Sequence, residues 1–303
     1  MSGAALRLGT RRSALALAQS GMVGRTVAGA LGRPVDLVEI STYGDVSKEH
    51  LAQIGGTGVF VSALRDALLE GRIDLAVHSL KDLPTKAPAG LVLAAVPERE
   101  DARDVLVARD GLKFADLPSG ARIGTGSPRR AAQLRLERDD VEILPVRGNV
   151  DTRIGFVTAG GLDAVVLAYA GLSRLGRIGE ATDYFDPCVM VPAPGQGALA
   201  VECRAGDTEL VDGLAQLDHR PTRAAVLAER SLLAALEAGC SAPVGGYATV
   251  VDDVLHLTGI VADTASPRSI RKSTTGPLDQ AGQLGLDLAA RLLEQGAAGY
   301  MGK

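Results

Sequence analysis

The amino-acid sequence predicts an α/β fold: two lobes with mostly parallel mixed sheets around a hinged cleft, plus a small α+β C-terminal domain with a three-stranded antiparallel sheet. Three observations predict it. Short apolar runs alternate with helix-length segments through the first two thirds of the chain, the pattern of βα units with helices on both sheet faces. Two segments, PEREDARD (97–104) and VPAPGQGALAVECR (191–204), interrupt that alternation and read as paired crossings between lobes. After residue 218 strand-like runs follow one another without intervening helices, so that part belongs to another class. At 303 residues two or three domains are expected, and we place them at 1–98 joined by 198–217, at 99–197, and at 218–303.

The elements follow in order. ALRLGT (5–10) reads as a buried strand, and Ser13 as the N-cap of a well-buried helix reaching about Leu31. VDLVEIST (35–42) is a strand, VSALRDALLEG (61–71) a helix stopped by Gly71, and IDLAVHSL (73–80) and LVLAAV (91–96) are strands. The pattern then restarts with the strands VLVAR, ARIGTGS, VEILPV and LDAVVLAYA and a helix from Pro128 to about Arg138. Pro221 and Gly239 bracket a long helix. YATVV, VLHLTGIVA and SIRKSTT are expected to pair antiparallel, and a closing helix runs from about Leu278 to Gln295.

Composition narrows the function. Apolar residues are 46% and charged residues 22%, as in ordinary globular chains. Aromatics are 3% and tryptophan is absent, which disfavours base stacking on single-stranded nucleic acid. The net charge of −4 argues against non-specific polyanion binding, although residues 1–33 hold five arginines and no acid. Arginines interrupt the N-terminal apolar run and no stretch approaches the ~18 apolar residues of a membrane span, so a cytoplasmic location is expected. Four histidines and three cysteines in no zinc spacing lead us to expect no metal. Cys188 and Cys203 sit in apolar stretches that look like core. Cys240, in LEAGCSAPVGG (236–246), reads as an exposed thiol on a glycine-rich bend.

Arginine carries the strongest signal. GTRRS places Arg11 and Arg12 between a strand end and a helix start, and GTGSPRR (124–130) does the same with Arg129 and Arg130. VRGNVDTR adds Arg147 and Arg153, and GLSRLG adds Arg174. Helix N-termini attract anions, and guanidinium forks match carboxylates or phosphates, so the repeated placement points to a ligand with several negative groups. In AVHSLKDLPT (76–85), local sequence leaves a solvated strand end and an acid at a cleft mouth equally open for Asp82. LAQIGGTGVF (51–60) is no P-loop; a lid with Phe60 as a packing tooth and an ordinary loop both fit. No histidine lies near Cys240 in sequence, and the helix end before it raises a thiol pKa, so a covalent anchor or an inert thiol suits it better than a turnover nucleophile.

Together the motifs TRRSALALAQ, AVHSLKDLP, EREDARDVLV, GTGSPRRAAQL, VRGNVDTR, LAYAGLSRLG, PAPGQGALAVECR and LEAGCSAPVGGYA resemble the porphobilinogen deaminase (hydroxymethylbilane synthase) family, in family order from residue 6 to about 250. The resemblance implies a transferase of tetrapyrrole biosynthesis with two periplasmic-binding-protein-like lobes. It implies that four porphobilinogen molecules add in turn, with loss of ammonia, to a covalent dipyrromethane cofactor, and that hydrolysis then releases hydroxymethylbilane. Cys240 is the implied thioether tether and Asp82 the catalytic carboxylate. Lys81, Ser13, Thr125, Ser127, Arg129, Arg130, Arg147 and Arg153 are the implied cofactor-binding residues. Arg11, Ser13, Arg147, Arg153, Arg174 and Gln196 are implied to bind substrate, with Phe60 in the lid. No metal, nucleic acid or membrane is implied, and a monomer is expected.

The chain departs from the family pattern at Gln53 and Thr57, where lysines are common, and at Gly126, where a hydroxyl residue is common. Arg12 falls at a position the family varies. A two-lobed solute-binding protein is the rival reading, disfavoured by the missing signal peptide and by Cys240. A cysteine hydrolase lacks its base.

Overall fold

The computed structural model describes residues 4–40, 58–86, 88–239 and 242–301, with the backbone alone at 58–60. The chain divides into two compact units, Met1–Arg99 with Ala198–Arg223, and Glu100–Gly197 with Ala224–Lys303.

In the first unit β1 (Leu6–Thr10), β2 (Val35–Glu39), β3 (Leu75–Ser79), β4 (Leu91–Ala95) and β10 (Leu199–Arg204) form one sheet in the order β2-β1-β3-β10-β4. β1 pairs parallel with β2 and β3, while β10 runs antiparallel between β3 and β4. All strands but β10 therefore point one way, as the sequence led us to expect. α1 (Ala14–Leu31), α2 (Gly58–Leu69) and α6 (Thr208–Ala215) accompany the sheet. One core gathers Leu6, Leu8, Val23, Val27, Val77, Val201 and Leu214, and a second packs Leu64, Leu68, Ile73 and Leu91.

Ser13 caps α1 as predicted, its side chain accepting from the Ala16 amide at 3.3 Å. The helix is less buried than expected. Met22 is 42% exposed, and polar Gln19 and Ser20 are buried beside Val23 and Val27. Ser20 Oγ donates to Thr10 Oγ1 at 2.9 Å and the Gln19 amide to Ser79 Oγ at 3.1 Å, so these polar groups reach the ends of β1 and β3.

The second unit holds two sheets. β5 (Asp104–Ala108), β6 (Arg122–Gly124), β7 (Glu142–Leu144), β8 (Ala164–Ala168) and β9 (Asp183–Tyr184) are ordered β7-β6-β8-β5-β9. β6 is parallel to β7 and β8, and β5 is antiparallel to β8 and β9, so the first sheet's pattern recurs. α3 (Pro128–Glu137), α4 (Val150–Thr158) and α5 (Tyr169–Arg174) follow β6, β7 and β8. The strand predicted over LDAVVLAYA stops at Ala168, and helix begins at Tyr169. β11 (Val244–Val251), β12 (Val254–Ala262) and β13 (Ser269–Pro277) form the antiparallel sheet expected near the C-terminus. α7 (Arg220–Ala235) and α8 (Ala281–Glu294) pack on it through Ala228, Leu232, Leu257, Leu288 and Leu292. The buried Glu229 carboxylate accepts from the Gly195 amide at 2.6 Å and the Ala248 amide at 2.8 Å, joining the 191–197 turn to β11.

Two local expectations are corrected. Gly239 does not stop α7. The chain turns at Glu237, which has φ 49°, while the Glu237 amide donates to Ala234 O at 2.9 Å and the Ala238 amide to Leu233 O at 3.2 Å. That is a Schellman ending with glutamate in the left-handed position glycine usually fills. Cys203 is buried as expected, but Cys188 is exposed. It lies on a turn where its amide donates to Asp186 Oδ1 at 2.6 Å and Arg271 donates to its carbonyl.

Candidate active site

In the second unit β6, β7 and β8 end on one sheet edge, and the predicted arginines follow those ends. Ser127 caps α3 by accepting from the Arg130 amide at 3.4 Å, and Thr125 Oγ1 accepts from the Ser127 amide at 3.2 Å. Both hydroxyls serve here as acceptors, which leaves each O–H to donate to an anion. The first turn of α3 holds no acid, so its positive end is uncompensated by side chains of that turn. The turn packs tightly. A Cβ on Gly126 would stand 2.6 Å from the Val146 carbonyl oxygen, so the turn as it stands has room for glycine alone.

Arg129 and Arg130 are buried rather than open at the edge. Arg129 pairs with Asp104 at 2.8 Å and donates to Val191 O at 2.7 Å. Arg130 donates to Asp104 through Nε at 3.0 Å and Nη2 at 2.7 Å, and to Val166 O at 2.9 Å. Gln196 donates to the same Asp104 at 2.8 Å and to Ala102 O at 2.7 Å. Burial by itself would raise the Asp104 carboxyl, but the two guanidinium charges and these hydrogen bonds outweigh it and hold it at about 2. Burial pulls Arg129 below the usual arginine range against the pull of Asp104. Its Nε is buried without a hydrogen-bond partner.

Arg147 is exposed on the turn after β7. Gly148 follows at φ 108°, where a Cβ would meet the Thr152 side chain at 2.7 Å. Asn149 then caps α4, accepting from the Thr152 amide at 2.8 Å, and Arg153 sits half-buried near the start of that helix. Arg174 ends α5 and donates to Gly197 O at 2.6 Å; its Nε is buried without a hydrogen-bond partner, and desolvation lowers its pKa.

In the first unit Arg11 and Ser13 follow the end of β1, with Arg11 half-buried. Arg12 is mostly exposed and pairs with Glu39 at 3.1 Å. β3 leads into a short 3-10 turn, Leu80–Asp82, where Lys81 and Asp82 are half-buried. Behind that turn sequence reasoning missed a buried cluster. Arg65 on α2 grips Glu202 on β10 through Nε at 3.0 Å and Nη2 at 2.7 Å, and His78 Nε2 lies 3.1 Å from the same carboxylate. Burial opposes ionisation, yet His78 and Arg65 together hold Glu202 at about 2. Asp104 was missed too. The available signal was an acid at the head of, or inside, an otherwise apolar strand, a placement that demands a partner. Cys240, Gln53 and Thr57 lie outside the described residues, and Phe60 falls in α2 at a position described by its backbone alone.

Fold and side chains together define an α/β protein of two compact units, with guanidinium groups gathered at the carboxyl ends of a parallel strand set in the second. The family model "Porphobilinogen deaminase, dipyromethane cofactor binding domain" matches residues 6–212, and "Porphobilinogen deaminase, C-terminal domain" matches residues 223–294. The chain belongs to the porphobilinogen deaminase family. Porphobilinogen deaminase 1 of Streptomyces coelicolor is 61% identical over all of this chain and 99% of its own, and porphobilinogen deaminase of Thermobifida fusca is 56% identical over 98% and 96%. Among solved structures, the periplasmic VFT2 domain of Bordetella pertussis BvgS aligns with 70% of this chain and 86% of its own at 15% identity and a TM-score of 0.42. A likeness at that level adds nothing to the strand order given above. Among the described residues no helix is long and apolar enough to cross a membrane.

Proposed function

We propose that this chain is a porphobilinogen deaminase that condenses four porphobilinogen molecules, releasing one ammonia each, and then frees hydroxymethylbilane by hydrolysis. The observation that carries the reading is the set Arg129, Arg130, Arg147, Arg153 and Arg174 at one strand edge, with buried Nε donors of Arg129 and Arg174 unfilled. Unfilled buried guanidinium donors suit a ligand rich in carboxylates, and a dipyrromethane bears acetate and propionate arms. When bound, it supplies a pyrrole with a nucleophilic α-carbon as primer.

The chain's residues take these parts in the proposal. Cys240 holds the cofactor as a thioether. Lys81, Ser13, Thr125, Ser127, Arg129, Arg130, Arg147 and Arg153 bind its carboxylate arms, while Arg11, Ser13, Arg147, Arg153, Arg174 and Gln196 bind the incoming monomer. Phe60 belongs to the lid. Asp82 accepts hydrogen bonds from pyrrole N–H groups and stabilises the positive charge that develops as ammonia leaves. The division into lobes at 1–98 with 198–217 and at 99–197, and a third domain at 218–303, belongs to the same proposal, as do a monomeric state, a cytoplasmic location and the absence of a nucleic-acid partner.

Intact-mass measurement of the purified full chain tests the reading. The expected result is an excess equal to two pyrrole units, absent from Cys240→Ser. An unmodified chain that converts porphobilinogen at the full rate would reject the tether, and a chain that releases no hydroxymethylbilane from porphobilinogen would reject the reading.

A further inference from the structure

We propose that Asp104 is a positioning residue: its carboxylate, itself held by the amide of Gln196, fixes the guanidiniums of Arg129 and Arg130 so that their remaining donors meet the carboxylate arms of the dipyrromethane. The assignment rests on the function proposed above. Three candidate ligand-binding residues converge on this one fully buried side chain. Asp104 opens β5 and pairs in register with Ala168, the last residue of β8, so it stands at the edge where the parallel strands end.

Two adjacent guanidiniums repel, and without a counter-charge they would splay apart. Asp104 removes one of their two positive charges and leaves the other for an incoming anion. A guanidinium has five N–H groups. Arg129 engages Asp104 and Val191 O, and Arg130 engages Asp104 twice and Val166 O. Neither side chain is exhausted, and the Arg129 Nε, buried and unfilled, is the donor most in need of a ligand. A second buried acid of the same sheet provides the contrast. Asp163 accepts from the Arg122 amide at 2.6 Å and pairs with Arg109 and Arg122 at 3.3 and 3.5 Å, before the start of β8 and in contact with none of the candidate residues.

The test uses full-length chain produced without porphobilinogen and then titrated with it, the loaded fraction being read by intact mass. For Asp104→Asn the half-loading concentration should rise about tenfold or more, the loss expected of charge-assisted hydrogen bonds. Asp163→Asn should lower the unfolding midpoint yet load within about twofold of the original chain. If Asp104→Asn fails to fold, Asp104→Glu keeps the charge and displaces the guanidiniums by one methylene; it should fold and still need about threefold more porphobilinogen. Loading of the folded Asp104 variant at the original concentration, or an equal shift in Asp163→Asn, overturns the assignment. An unsubstituted chain that gains no adduct overturns the proposed function, and this assignment with it.

Discussion

The two mixed sheets share one strand order, and in each the strand that runs against its neighbours carries a buried carboxylate clasped by arginine. On β10 it is Glu202, held by Arg65 of α2; on β5 it is Asp104, held by Arg129 and Arg130 of α3. They differ in depth. Glu202 pairs in register with Ala76, inside β3, whereas Asp104 pairs with the terminal residue of β8. One carboxylate fastens a helix to the middle of a sheet, and the other sits where helix N-termini and the candidate ligand-binding arginines gather. The same electrostatic device thus serves the scaffold in one place and, as we propose, the ligand in the other, with position along the strand deciding which.

Predictions can break or sharpen that contrast. The largest effect should come from Asp82→Asn, on the turn after β3: turnover falls up to about ten-thousandfold while intact mass still shows the adduct. Normal turnover would take the chemistry away from the first unit. Glu202→Gln leaves Arg65 buried without its counter-charge and should cost about 3–5 kcal/mol in equilibrium unfolding, with porphobilinogen loading unchanged in the folded fraction. A loading defect as large as that of Asp104→Asn would erase the distinction between the two acids.

Acid should affect both alike. Each carboxyl is held at about 2, below its value of ~4 in an unfolded chain. A depressed folded pKa contributes its full stability above pH ~4 and loses it as pH falls from about 4 to about 2, on the order of 2–3 kcal/mol per group. Unfolding followed across that window should show the loss, and Glu202→Gln should shallow the slope.

Arg147→Leu removes an exposed charge, so its unfolding midpoint should barely move while loading weakens about tenfold. The smallest effect is a gain. Glu237→Gly relieves a left-handed glutamate at the end of α7 and should add about 1 kcal/mol in the same unfolding assay.

Much of this was legible in sequence because it depends on neighbours along the chain. Ser13 and Ser127 cap the helices they precede, and the alternation of strand and helix placed the arginines at strand ends. What escaped depends on distant partners. Arg65 and Glu202 are 137 positions apart, and Asp104 and Arg130 are 26 apart, so EREDARD reads locally as a crossing between lobes and not as the partner of distant arginines. The same blindness to tertiary context put Cys188 in the core and gave Gly239 the stop that Glu237 makes. Gln196 became visible through family resemblance, which also decided between the two readings that local sequence left open for Asp82, because neither spacing nor periodicity marks a lone amide or fixes the role of a lone acid.

Sheet order also bears on synthesis. β5 to β9 are contiguous in sequence and complete by residue 184, but the first sheet lacks its interior strand β10 until residues 199–204 have been made. On the ribosome β3 and β4 must therefore wait with unpaired edges while about a hundred residues are translated at ~5–20 per second. Of the two mixed sheets the one begun first is the last to finish, and its edges are open to misassembly during that wait.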